Sequence, residues 1–227
     1  MFANLWSAED LLTTKEIWNR ALGILGMPKI ASTSEASPQA DIINCMWEEF
    51  RKGFLADHTW NGATTAEALV RYANIGDLVE VAPVSRWTFA YILPLDYLRI
   101  YAVNGLENEK AWNTIYSIET LANDIGRSRV LVSDQSTIIT EHIFDVGTQV
   151  GLLGAKTRKA MAYNLANEIS GNFGKSLAEQ ESLKEDARRI LADARSVDGQ
   201  EGSPKFFSAT SLLQARQGTR GRHLNPG

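Results

Sequence analysis

One run of fourteen residues, Trp87-Thr88-Phe89-Ala90-Tyr91-Ile92-Leu93-Pro94-Leu95-Asp96-Tyr97-Leu98-Arg99-Ile100, constrains this chain more than any other segment. Trp87, Phe89, Tyr91 and Leu93 recur with period two, so a strand puts all four on one face. Pro94 has no N–H to give to a ladder and fixes φ, which ends that strand. Leu98, Ile100 and Ala102 then open a second alternating run. Pro94 and Asp96 are therefore expected to form the turn between two adjacent strands. Tyr97, Arg99 and Tyr101 would share the opposite face of the second strand. That aromatic and basic set suits either a nucleic-acid strand or packing on a neighbour.

Upstream the spacing is helical. Ile17, Ala21 and Leu25 recur with Trp18 and Leu22 beside them, and Gly26 and Pro28 supply the stop. Ser37-Pro38 reads as N-cap and first position of a second helix. That helix carries Ile43, Met46, Trp47, Phe50 and Phe54 on one side and ends near His58, which flanks its end. Thr64-Thr65-Ala66-Glu67 fits the capping box of a helix through Tyr72. Short alternating runs at 87–93, 98–103, 114–118, 129–132 and 137–142, parted by turn residues, predict five strands. Helical spacing returns at about Thr148, with Met161, Leu165 and Ile169 on one stripe and Gly171 or Gly174 ending it. A last helix over about 177–194 turns Leu183, Ala187, Ile190, Leu191 and Ala194 inward. The fold class is α+β. A helical bundle is built from N-terminal (1–83) and C-terminal (147–196) parts, with a small antiparallel β domain inserted at 84–146. An extended C-terminal arm follows at 197–227.

The 227 residues are 44% hydrophobic, enough to bury one such core. No apolar run approaches the roughly 18–20 residues that cross a bilayer. The start, through Trp6, lacks the basic region of a signal peptide, so no membrane partner is expected. Cys45 is the single cysteine. It excludes an internal disulfide, points to a reducing cytoplasm and reads as a buried, inert thiol among apolar helix residues.

His58, His142 and His223 lack metal-ligand spacing. There is no serine elbow, phosphate-cradling loop or dinucleotide fingerprint, and Gly147, Gly151 and Gly154 are too far apart to hold a phosphate. Glu48-Glu49, Glu107 with Glu109, and Glu179 with Glu181 sit in solvated patterns. The expectation is a chain that is not an enzyme, with no catalytic residue, metal or cofactor. Net charge is −4, unevenly spread: after Glu201 the charges are Lys205, Arg216, Arg220 and Arg222, and the residues before them carry a net −8. An acidic body repels nucleic-acid phosphate. Its basic, glycine-rich tail, expected to be extended over 199–222, reads as a contact arm or as a solvated terminus.

Four segments in one order resemble a known family. They are Glu16 to Gly26 followed by Ile30 and Ser32; Ala40 through Trp47 and Leu55 to His58-Thr59-Trp60; the aromatic strand with Leu93-Pro94-Leu95-Asp96-Tyr97-Leu98-Arg99; and Leu165-Ala166-Asn167-Glu168-Ile169 with Ala194, Asp198, Glu201-Gly202-Ser203-Pro204 and Ser211 to Arg216. Together they resemble the tail tubular protein A family, the head-to-tail adaptors of short-tailed bacteriophages. The resemblance favours a strand after Trp60 over the helix through Tyr72. It implies a virion structural protein, assembled in the host cytoplasm into a twelve-membered ring between portal protein and tail nozzle protein. Genomic DNA would pass through its channel without specific binding. Trp87, Phe89, Tyr91, Leu93, Pro94, Asp96, Leu98 and Arg99 are the implied structural signature. Phe206, Phe207, Leu212, Leu213, Arg216, Arg220 and Arg222 form the arm that would reach a neighbour or the portal. The six tryptophans suit lateral burial in such a ring. Two other readings stay open, another portal-proximal ring or stopper and a cell-wall hydrolase carried in the virion. Residues 104–129 are longer and more polar than the family pattern, and Trp112 has no assigned place.

Overall fold

The computed structural model describes residues 14–74, 87–105, 115–123 and 126–201. Helix α1 (Thr14–Ile24) buries Ile17, Trp18, Ala21 and Leu22, as the spacing requires. Gly26 closes it at φ +68°, with Gly26 N–H bonded to the Gly23 carbonyl and Met27 N–H to that of Leu22. This is the paired C-terminal motif that a left-handed glycine permits. Helix α2 (Pro38–Ala56) starts at Ser37, whose hydroxyl accepts the Ala40 N–H. Ile43 and Trp47 are buried, with Met46, Phe50 and Phe54 packed alongside. Cys45 is exposed, against expectation. It lies about 200° around the helix from Ile43, outside the apolar stripe.

The β region starts at Thr64, not at residue 84. Strands β1 (Thr64–Ala68) and β2 (Arg71–Asn74) precede β3 (Phe89–Ile92), β4 (Tyr97–Val103), β5 (Tyr116–Asn123), β6 (Gly126–Ser133) and β7 (Ile139–Phe144). All five expected strands are present, and 64–68 is the strand that the resemblance favoured. The capping-box reading fails because Thr64 to Ala68 pairs with β7 at all five positions, from Thr64 opposite Ile143 to Ala68 opposite Ile139. Two antiparallel sheets result, ordered β1-β7-β4 and β2-β3-β6-β5.

Strands β3 and β4 are therefore not neighbours, and the Pro94 bend carries the chain from one sheet to the other. The three-stranded sheet serves two cores. Leu98, Tyr101, Ile143 and Phe144 join the helical core. Tyr97, Ile100 and Val103 join Tyr91, Leu93, Leu131 and Ile138 between the sheets. Strict alternation would put Leu98 and Ile100 together. Two irregularities in register, between Tyr97 and Arg99 and between Ile100 and Ala102, separate them. For the same reason Tyr97, Arg99 and Tyr101 do not share a face, and the aromatic and basic set that would suit a nucleic-acid strand or a neighbour is not assembled. Trp87 also leaves its expected partners: it packs with Ala90, Val130 and Val132, while Phe89, Tyr91 and Leu93 face the inter-sheet core.

Helix α3 (Ala155–Ile169) is the centre of the helical layer and packs on α1 and α2. Met161, Leu165 and Ile169 are fully buried, and Ala160, Ala162 and Ala166 let neighbours approach. Gly174 ends its extension in the left-handed region. Helix α4 (Leu177–Glu201) packs along α3. Its N-terminus is a capping box: Glu179 N–H donates to the Ser176 hydroxyl, and Ser176 N–H to the Glu179 carboxylate. Bonds from the Ser176 hydroxyl and N–H hold the Glu179 carboxyl down to about 2. The helix continues past Ala194 to Glu201, so the arm boundaries at 197 and 199 are too early. The cause is a tertiary anchor: buried Asp198 accepts the Asn61 N–H at 3.2 Å, a contact between residues 137 apart.

Trp18, Trp47, Trp60 and Trp87 are all buried within this chain, so they are core residues and not the ring-interface residues expected. Trp6, Trp112, His223, Glu107, Glu109 and the arm residues Phe206, Phe207, Leu212, Leu213, Arg216, Arg220 and Arg222 lie outside the described residues. Among the described residues no helix is long and apolar enough to cross a membrane.

Candidate interaction surface

The signature segment forms a corner where both sheets and the helical layer meet. Thr88 anchors its start, giving its N–H and hydroxyl to one oxygen of Asp134 at 2.9 and 2.8 Å. Phe89 lies beneath the Arg71 guanidinium, 4.1 Å from its ring centre, and Arg71 in turn donates to the Ser136 carbonyl. Buried Tyr91 gives its hydroxyl proton to the Gln135 carbonyl. Leu93 completes the inward row. Pro94 through Tyr97 then make a tight turn, closed by Tyr97 N–H to the Pro94 carbonyl at 3.2 Å. Pro94 and Asp96 therefore stand in a turn as expected, although the strands it joins belong to different sheets.

Asp96 matters through its backbone. Its carbonyl accepts the Asp145 N–H at 2.7 Å, and the Asp145 carboxylate takes two bonds from Arg51 of α2, each 2.7 Å. Burial alone raises the Asp145 pKa; the Arg51 bonds and the Gly147 N–H outweigh it, so the carboxyl titrates below its usual range. The corner is thus bolted to the helices through a charged pair. Leu98 runs into the helical core and Arg99 stays exposed.

The outer side of this corner is apolar and open. Leu95 at the turn tip is fully exposed, Ile92 is 48% exposed and Val70 67%. Ile92 N–H bonds to the Val70 carbonyl, which places these two side by side, and exposed Tyr72 follows on the same edge strand. Among the described residues strand β2 is the edge of its sheet, and an edge flanked by apolar side chains is a ready place for another chain to pack. The sequence reading missed Val70 and Tyr72. Residues 69–72 carry no regular alternation, because a register shift between Arg71 and Ala73 breaks it.

The histidines sit elsewhere. His58 packs edge-on to Trp60 at 4.5 Å and lies 3.7 Å from the Asp198 carboxylate. Burial lowers the pKa of this imidazole and raises that of Asp198. His142 is buried, 3.2 Å from the Thr140 hydroxyl, and burial lowers its pKa too. Among the described residues no three His, Cys, Asp or Glu side chains are grouped to hold a metal ion. No family model matches this chain, and no curated protein matches it in sequence.

Proposed function

We propose that this chain is a structural ring subunit, a head-to-tail adaptor of a short-tailed bacteriophage that sits in the virion neck between portal and tail nozzle. The observation that carries the reading is the corner at 87–99. The family-like Leu-Pro-x-Asp-x-Leu-Arg run is a rigid joint tied to α2 by Arg51 and Asp145, with apolar Val70, Tyr72, Ile92 and Leu95 open on its outer side. A ring subunit needs two different, mutually complementary surfaces held at a fixed angle, and a stiff corner with an apolar edge that is unpaired among the described residues suits one of them. The acidic body suits a channel that lets DNA pass without holding it. The basic arm beyond Glu201 is assigned to the portal or the neighbouring subunit.

The test is assembly. Mixed with its portal, the chain should form a ring of twelve 25.1 kDa copies, about 300 kDa, visible by light scattering and electron microscopy. Leu95→Asp should leave the monomer's melting temperature unchanged and abolish the ring. Deleting everything after Gly202 should leave the melting temperature nearly unchanged and abolish portal attachment. A monomer that ignores portal and clears a peptidoglycan suspension would replace the adaptor with the hydrolase reading.

A further inference from the structure

The chain contains two Asn-Gly pairs, Asn61-Gly62 and Asn104-Gly105. A glycine after asparagine leaves its nitrogen without a side chain beside it, free to attack the neighbouring side-chain amide carbon within the same chain. The fold treats the two pairs differently. Asn104 and Gly105 are exposed at the end of β4, at φ +50° and +75°, the left-handed turn that Asn-Gly favours. Two bonds fix Asn104 against the start of β7. Its N–H donates to the Ile139 carbonyl, and its Oδ1 accepts the Ile139 N–H, both at 2.8 Å. The amide nitrogen is barely held, 3.5 Å from the Thr137 carbonyl. Nothing among the described residues lies within 4 Å of where a Gly105 Cβ would stand. The carbon to be attacked is thus held still while the attacking peptide is free to turn.

Asn61 is locked on every side. Its N–H donates to the Asp198 carboxylate at 3.2 Å, its amide nitrogen donates to the Asp198 carbonyl, and its own carbonyl accepts the Thr64 hydroxyl. Gly62 lies so close beneath Leu152 that a Cβ would stand 2.2 Å from that carbonyl oxygen. Its peptide has no room to swing onto the Asn61 amide carbon. The Asp198 carboxylate beside the turn also opposes the negative charge of a deprotonated backbone nitrogen.

We propose that Asn104 is a self-modification site, converted to aspartate and isoaspartate through a cyclic imide, and that the fold holds Asn61 unreactive. Hydroxide takes the Gly105 N–H proton, and the nitrogen attacks Asn104 Cγ to form an N–Cγ bond. Negative charge develops on Oδ1, where the Ile139 N–H already stands to receive it. The Cγ–Nδ2 bond breaks, and Nδ2 leaves as ammonia with a proton from water, which restores the hydroxide. Water then opens the five-membered imide at either carbonyl, and nothing is oxidised or reduced. One opening leaves an aspartate at 104. The other runs the main chain through the side-chain carbon as isoaspartate. Each product adds a negative charge beside the Thr137 carbonyl, and isoaspartate also displaces the bonds to Ile139. Val103 and Ile138, next to the two bonded residues, are fully buried in the inter-sheet core, so the modification loosens that core at its β4–β7 end. The chemistry is the chain's own and does not depend on the adaptor reading.

The full chain, kept in mildly alkaline buffer at body temperature and sampled by peptide mass spectrometry, tests this without any substitution. Residue 104 should gain one mass unit at least about tenfold faster than residue 61, a barrier difference of about 1.4 kcal/mol. In urea the two rates should converge, because the pairs are chemically alike once unfolded. Part of the product at 104 should be isoaspartate, detected with an isoaspartyl methyltransferase. Equal rates in the native chain, a native chain in which 104 does not react, or aspartate without isoaspartate each overturns the proposal. The modified fraction, separated by its added charge, should exchange the Ile139 amide hydrogen faster than the fresh chain; unchanged exchange overturns the loosening of the sheet.

Discussion

Arg51→Met tests whether the corner is held to the helices by charge. The Arg51 and Asp145 side chains are 11% and 12% exposed and share two bonds of 2.7 Å. The substitution also removes the guanidinium 5.9 Å from the Trp47 ring centre and leaves the carboxylate with the Gly147 N–H. Removing one partner of a pair this dry costs about 3 kcal/mol, or roughly 6–12 °C in melting temperature for a domain of this size. Urea unfolding followed by tryptophan fluorescence measures the loss. Asp145→Leu should cost a similar amount. The double variant should cost less than the two singles summed, by about 2 kcal/mol, because neither charge is then stranded. The pH dependence has a definite sign. Asp145 titrates below its unfolded value, so its contribution is complete above the ordinary carboxylate pKa and is lost as pH falls through the folded value. The penalty of Arg51→Met should therefore be full at neutral pH and shrink as pH falls through the carboxylate range. A loss under about 1 kcal/mol at neutral pH, additive singles or a penalty that does not change with pH would each refute the bolt.

Tyr91→Ala should cost roughly 3–5 kcal/mol by emptying a fully buried site, and Tyr91→Phe about 1 kcal/mol through the lost bond to the Gln135 carbonyl; chemical denaturation reads both, and a parental curve for the alanine variant would remove β3 from the core. Gly62→Ala should fail to fold or melt far below the parent, since its Cβ would stand 2.2 Å from the Leu152 carbonyl oxygen. Gly53→Ala should do the reverse and stabilise by about 0.5–1 kcal/mol, as a solvent-facing glycine inside a helix; a calorimetric scan checks the pair.

What the sequence made legible follows from how far each determinant reaches along the chain. Ser37-Pro38, the Gly26 stop and the Met161, Leu165, Ile169 stripe act within a turn or two, and all stand where their spacing puts them. Five strand positions were equally plain, because period two is local; β2 was not foreseen. Sheet membership was not. Nothing in Leu93-Pro94-Leu95 distinguishes a hairpin from a step between sheets; that is decided by β6 and β7, some forty residues later. Strand β1 was obscured because it is an exposed edge with little apolar alternation to read. The length of α4 was hidden in Asp198, whose reason for burial is Asn61. Of the surface, Leu95 and Ile92 fell inside the signature, whereas Val70 and Tyr72 are joined to it only by pairing across strands.

The central place of α3 has a consequence for how the chain is made. Trp18, Trp47, Phe50, Phe54 and Trp60 form a continuous aromatic file along α1, α2 and the turn after it, with neighbouring rings 5.4–6.1 Å apart and those of Phe54 and Trp60 stacked parallel. Met161, Leu165 and Ile169 belong to the same core and are translated about a hundred residues after α2, a delay of roughly 5–20 s at ordinary elongation rates. Through that interval the file has no lid, and the nascent chain presents it to whatever binds apolar surface at the ribosome exit. The β region that separates the helices along the chain therefore also sets a timer, and a slow codon run before residue 155 would lengthen the time during which two nascent copies can stick together.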